Sequence, residues 1–282
     1  MRNQQSNNNE HSTRGLADER DGGGELGEMA KTALIAVLLA LLIRTFMYEP
    51  FNIPSGSMLP TLKVGDYLFV SKTAYGYSQY SFPFGIASFS GRIFRQMPER
   101  GDVVVFRLPT KPSIDYIKRV VALPGETVRM ADGRLYIDGE KVRRIPKGFV
   151  SYGTGPSRTR FMQYVEVLPG GVRHYIYEES DEAELDDTRQ FRVPEDHVFV
   201  MGDNRDHSRD SRAIKQVGFI PVENLVGRAD IVFFSVGRGA HFYEVWKWPW
   251  AIRYDRLLQP ISPLGKGKQQ DNNAAMAAPN RG

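Results

Sequence analysis

What most limits how this chain can fold is an apolar run, Ala30 to Tyr48, that leads almost directly into PSGSMLPTL at residues 54–62. Its uncharged core, Thr32 to Ile43, is twelve residues long. A bilayer core of roughly 30 Å needs about 20 helical residues, so Lys31 and Arg44 would have to snorkel while Phe46, Met47 and Tyr48 extend the far end. Two other readings compete: the hydrophobic region of a cleavable secretory signal, and a buried helix. Against cleavage, no Ala-x-Ala follows, and the nearest small-residue run, Ser55 to Ser57, lies well past Ile43. An uncleaved anchor over 30–48 is therefore expected. The placement of Arg14, Arg20 and Lys31 before it and Arg44 after it leans toward a cytoplasmic amino terminus.

The whole chain, 282 residues with 41% hydrophobic content, suffices for one sizeable core, or a core plus a subdomain. The absence of cysteine excludes a disulfide framework, a cysteine nucleophile, thiolate-bound zinc and iron–sulfur clusters together. A net charge of +4 raises the question of nucleic acid, but the surplus after residue 48 is spread thinly and forms no lysine-rich tract. A solvated basic surface explains it, and nucleic acid is not an expected partner.

The texture after the anchor is short β-type runs separated by Gly and Pro. Residues 66–72, 102–107, 114–121, 134–138, 197–201 and 229–236 read as strands. Turn chemistry at Leu123-Pro124-Gly125 and Asp138-Gly139 favours antiparallel hairpins. The expected fold is mainly β: an antiparallel catalytic domain over 49–260 with a smaller, more exposed subdomain or long loop inserted at 140–190, preceded by one transmembrane helix. Residues 1–29, with their NNNE and GGGE runs, and residues 261–282 are expected to be disordered tails.

Which residues carry chemistry? Hydrolysis of a peptide needs a nucleophile, a base neutral near physiological pH, and donors aimed at the developing oxyanion. Histidine is the usual base, yet His11 lies in the tail, His174 and His197 in β-like runs, and His241 in a loop. Only His207 sits inside a polar loop. Lys118 is different, because alternation along IDYIKRVV puts it on one face with Tyr116 and Val120. A lysine near its ordinary pKa is neutral at pH 7 in only about one molecule in 2,500, whereas burial that lowers it to about 7.4 frees roughly a quarter. Against that stands an edge strand from which Lys118 snorkels to water. Ser57 is equally open: PSGS is a common turn, though Gly56 permits close approach and Pro54 and Pro60 restrict the loop on either side. In GDNRDHSRDSR, residues 202–212, carboxylates alternate with arginines that would repel a cation, so ion-paired scaffolding is expected rather than a metal site.

PSGSMLPTL, GDVVVF, YIKRVVALPGE and GDNRDHSRDSR, in this order, resemble the motifs of bacterial type I signal peptidases, the leader peptidases of the serine/lysine-dyad class. The resemblance runs from the anchor to about Leu258. It implies that Ser57 is the acyl-forming nucleophile and Lys118 the neutral general base. Ser55 would complete an oxyanion hole with the Ser57 amide, and Ser208 would orient the Lys118 amine. Asp203, Arg119, Asp210 and Arg212 would form supporting ion pairs. Preproteins with small residues at −1 and −3 would meet shallow apolar pockets lined by Ile53, Pro54, Met58, Leu62, Tyr116 and Ile117. The family further implies a single-pass protein of the cytoplasmic (inner) membrane with its catalytic domain on the outer face, no cofactor and no metal, its partners being signal peptides and membrane lipid. His207 departs from the pattern, standing where asparagine is usual.

Near the carboxyl end, Trp246, Trp248 and Trp250 fall among Lys247, Arg253 and Arg256, which suits a headgroup zone or, equally, packing of the chain's end on the sheet. Other hydrolase classes lack their signatures: there is no Ser-x-x-Lys, no Gly-x-Ser-x-Gly and no His-Glu-x-x-His. A membrane-tethered β-rich scaffold, with Ser57 and Lys118 purely structural, is the remaining alternative.

Overall fold

The computed structural model describes residues 22–82, 89–153, 158–237 and 243–264. Helix α1 spans Gly22–Phe46. Its start corrects the expected tail: Gly22–Met29 is helical, because extending an existing helix costs far less than nucleating one. Its end also differs from expectation, since Tyr48 already belongs to a strand. Among the described residues no helix is long and apolar enough to cross a membrane. Residues 1–21 and 265–282, and with them His11 and most of both expected tails, lie outside the described residues, as does His241.

The chain divides into two compact units, one ending at Leu41 and the other beginning at Leu42. The described residues of the second are mainly β. Its strands are β1 Tyr48–Asn52, β2 Asp66–Ser71, β3 Val103–Leu108, β4 Lys111–Ala122, β5 Thr127–Ala131, β6 Arg134–Ile137, β7 Glu140–Lys141 and β8 Arg143–Tyr152. Then follow β9 Thr159–Val167, β10 Arg173–Glu178, β11 Phe191–Arg192, β12 His197–Met201, β13 Ile220–Pro221, β14 Leu225–Ser235 and, after the short helix α2 Trp248–Ala251, β15 Gln259–Pro260.

The main sheet runs β1-β2-β14-β3-β4-β12-β13, with β15 added to β14. A second sheet is β11-β5-β6-β7 and a third β10-β9-β8, and the pairings within all three are antiparallel. Alternation sorts the core by face. Val198 and Val200 of β12 pack with Val104, Phe106 and Val120, while Phe199 and Met201 join Met130, Leu135 and Ile137 beneath the second sheet.

Of the two readings of the inserted region, subdomain or long loop, the first describes it: β8, β9 and β10 form their own sheet over 143–178, and Tyr177 exchanges backbone bonds with Asp203 and Arg205. One further expected boundary changes. The carboxyl end is not free from residue 261. The Ile261 amide donates to Asp230 O at 2.8 Å and the Leu264 amide to Arg173 O at 2.7 Å, satisfying backbone groups that a free tail would leave to water.

Candidate active site

Lys118 stands where β4 passes from edge to interior: Val104 of β3 is directly opposite it, and the pairing with β12 begins at the next residue, Arg119. Its side chain is buried in the protein and does not snorkel to water. Lys118 is 4% exposed, and Ser57 8%. The Lys118 Nζ donates to Ser57 Oγ at 2.7 Å and to Ile117 O at 2.8 Å. No acidic side chain lies within ion-pairing distance of it among the described residues. Burial pushes the amine down to about 8, against the weaker pull of Asp210 and Asp203 in the other direction.

Ser57 is held by a loop that the polar segment clamps. The Asn204 amide donates to Ser57 O at 3.1 Å, and Asn204 Nδ2 donates to Gly56 O at 3.0 Å. Gly202 explains how the two loops come so close: a Cβ there would lie 2.5 Å from Ser57 O and 2.2 Å from Ser208 Oγ. Ser55 Oγ stands 3.4 Å from Ser57 Oγ, on the exposed side.

The expected ion pairs form. Arg119 grips Asp203 with Nε at 2.8 Å and Nη2 at 2.7 Å, and also donates to Gly101 O. Arg212 grips Asp210 with Nε at 2.9 Å and Nη2 at 3.0 Å. Burial pushes both carboxyls up, but their arginines hold them below the ordinary range.

Two site expectations need correction. Ser208 is buried, yet the hydrogen bonds of the Lys118 amine go to Ser57 Oγ and Ile117 O and none goes to Ser208. Met58 and Leu62, both 0% exposed, pack with Ile53, Leu68, Val70 and Val103 in the core, so they have no surface left to line a pocket. Pro54, Tyr116 and Ile117 keep accessible surface. For the carboxyl-terminal segment, where headgroup contact and packing of the chain's end stood equally, Arg253 and Arg256 turn inward, Arg256 onto the buried Asp66 and Arg253 onto Val64 O. Trp246 and Trp250 remain exposed, while Trp248 packs on Phe234.

Sequence reasoning missed a further pair. Arg205, 1% exposed, forks onto Glu166 of β9, and Arg205 holds that carboxyl well below the usual range despite its burial. His174 of β10 lies beside it, 3.4 Å from Glu166 Oε2 and 3.9 Å from Asp203 Oδ1, kept neutral by burial and by Arg119. The signal was a charge at Glu166 in an otherwise apolar alternation, QYVEV. His207 faces Glu179 at 2.6 Å, and His197 bonds Glu195 O.

Residues 26–234 match the family described as signal peptidase, peptidase S26. A signal peptidase I of Rickettsia typhi is 40% identical over 207 residues, covering 71% of this chain and 76% of that protein. One from Rickettsia bellii is 35% identical over 248 residues, covering 82% and 84%. Among solved structures, a signal peptidase I of Enterococcus faecalis is 26% identical over 47% of this chain and 97% of that one, with a TM-score of 0.27.

Proposed function

We propose, on the premise that this chain belongs to the signal peptidase family (peptidase S26) and is a protease that removes signal peptides, that it cleaves through a Ser57/Lys118 dyad. The observation that carries this reading is the 2.7 Å contact between Ser57 Oγ and a buried amine with no acid beside it. In its neutral form Lys118 takes the Ser57 proton as Oγ attacks the scissile carbonyl carbon. The Ser57 amide and the Ser55 hydroxyl are the donors for the oxyanion. The Lys118 ammonium then returns the proton to the departing amine, leaving an ester on Ser57. A water, deprotonated by the same amine, hydrolyses that ester.

Substrate geometry follows from the sheet. Strand β12 pairs with β4 only from Arg119 onward, so the stretch before Lys118 has β3 on one side and a free edge on the other. An extended peptide can pair with that edge and bring its carbonyl to Ser57. Pro54, Tyr116 and Ile117 then border the side chains at −1 and −3, and small residues are expected there.

Helix α1 is the proposed anchor in the cytoplasmic membrane, with the catalytic unit on its outer face. Leu34, Ile35, Val37, Leu38, Leu41 and Leu42 are all exposed, a surface that lipid would cover. A preprotein cleavage assay with amino-terminal sequencing tests the whole reading. Cleavage after small residues at −1 and −3 is expected, lost in Ser57→Ala at an unchanged Tm. An inactive parent, or a Ser57→Ala variant as active as the parent, would sink it.

A further inference from the structure

Beside the 203–208 loop, three carboxylates from three chain segments converge: Glu178 at the end of β10, Asp186 in the loop after it, and Asp206. Each offers an oxygen within 4.8 Å of the others. In each, one oxygen is already used. Glu178 Oε1 accepts from Arg144, Asp186 Oδ2 from the Ala183 amide, and Asp206 Oδ2 from the Glu179 and Ser180 amides. The second oxygen of each, Glu178 Oε2, Asp186 Oδ1 and Asp206 Oδ1, is buried with no partner at all. Glu178 itself is only 2% exposed.

Unpartnered buried carboxylate oxygens are costly, and each such group calls for an occupant. The arginines expected to neutralise this region do not fill the centre. Arg205 is forked onto Glu166 and Arg212 onto Asp210, while Arg144 is shared between Glu178 and Asp181. Arg212 lies close enough to attract Asp186, yet Arg212 Nη1 and Asp186 Oδ1 are each without a hydrogen-bond partner. A single water has two protons for three acceptors and leaves their charge in place. An all-oxygen donor set selects a hard cation. Ca²⁺, at about 2.3–2.6 Å from its ligands, spans every separation up to that 4.8 Å bound and accepts irregular protein cages, whereas Mg²⁺ demands a near-ideal octahedron and keeps most of its waters. Access exists through a cavity of about 290 Å³ lined by Asp186, Asp206 and Ser208 among others.

We propose that Glu178, Asp186 and Asp206 bind one divalent cation of calcium size, which fastens the end of β10 to the loop that clamps Ser57. Asn204, two residues before Asp206, makes that clamp, so the cation would stiffen the support of the nucleophile without touching the reaction.

The test uses the full chain in detergent micelles, stripped with a chelator and titrated with CaCl₂ by calorimetry, alongside thermal unfolding. Expected are one Ca²⁺ per chain and a saturable rise in Tm of several degrees that NaCl of matched ionic strength does not reproduce. Glu178→Gln and Asp186→Asn each weaken binding at least about tenfold. Glu184→Gln, at the cavity rim but outside the cluster, binds as the parent does. Asp206→Asn, which keeps an oxygen for the Glu179 and Ser180 amides, replaces either variant if it fails to fold. The proposal is overturned if the parent binds no stoichiometric Ca²⁺, the carboxyls simply sharing a proton. Binding that is undiminished in the cluster variants overturns it equally, because the ion then sits elsewhere.

Discussion

Lys72 and Lys118 are both almost wholly buried, at 2% and 4% exposure, and their surroundings make them opposites. Lys72, just past the end of β2, lies 2.9 Å from Glu49 Oε2 and donates to Ser81 O at 2.7 Å. It fastens β1 to the turn after β2. Lys118 meets a serine hydroxyl and a carbonyl instead, and the nearest acids, Asp203 and Asp210, are each held by their own arginine. Burial alone therefore does not make a base. Withholding the counter-charge does, because desolvation then falls on the ammonium without a compensating carboxylate.

The largest expected effect separates these two lysines directly. Lys118→Met should lower kcat by about 10⁴-fold or more, while Tm holds or rises because no ion partner is stranded. Preprotein cleavage and thermal unfolding measure both, and retention of more than about a hundredth of the activity would break the contrast.

Next comes Glu166→Gln, which leaves Arg205 buried without its carboxylate and should cost about 3–5 kcal/mol in denaturant unfolding. The pH dependence has a definite sign. Arg205 holds Glu166 below its unfolded value, so its contribution is complete above the ordinary carboxylate range and is lost as the medium acidifies. The gap between parent and variant should therefore begin to close below about pH 4.

Lys72→Met should be gentler, about 1–3 kcal/mol, since Glu49 is only partly buried and keeps Arg44 at 3.8 Å from its other oxygen. Cleavage by the folded variant should match the parent. If it were abolished, the division into scaffold and base would be wrong.

The smallest effect is the pH profile. Because the deprotonated amine is the active form and its pKa is about 8, kcat/KM should climb with pH. The climb is about tenfold between roughly pH 7 and pH 9, then level, as the neutral fraction goes from about a tenth to about nine-tenths. A midpoint near the ordinary lysine value would show that burial does not tune this group.

Local pattern made part of this visible without coordinates. The β12 strand was read at its observed bounds, 197–201, because HVFVM is short, apolar and flanked by polar turns. The resemblance implied Ser57 and Lys118 as partners and named Asp203, Arg119, Asp210 and Arg212 as ion-paired; which arginine takes which carboxylate came from the fold, Arg119 reaching Asp203 across 84 residues and Arg212 taking Asp210. Other features escaped for reasons of distance. Glu166 and Arg205 are 39 residues apart and belong to different sheets and loops, so neither predicts the other. Met58 and Leu62 look like pocket walls beside a nucleophile, but the loop folds them under the sheet. The helical Gly22–Met29 segment reads as a polar tail, and only continuity with the apolar run makes it helical.

What the residues alone determined is alternation and chemistry: a lysine sharing a face with Tyr116 and Val120, a serine in a restricted loop, and apolar runs of strand length. Strand order was left to the tertiary structure, since alternation says which way a side chain points but not which neighbours stand beside it. The fold buried Lys118 opposite Val104 of β3 and against Ser57, and the Gly202 contact brought the two loops together around Ser57. The physical reason is that a pKa answers to solvent and charge within a few ångströms, and those are set by segments far away along the chain.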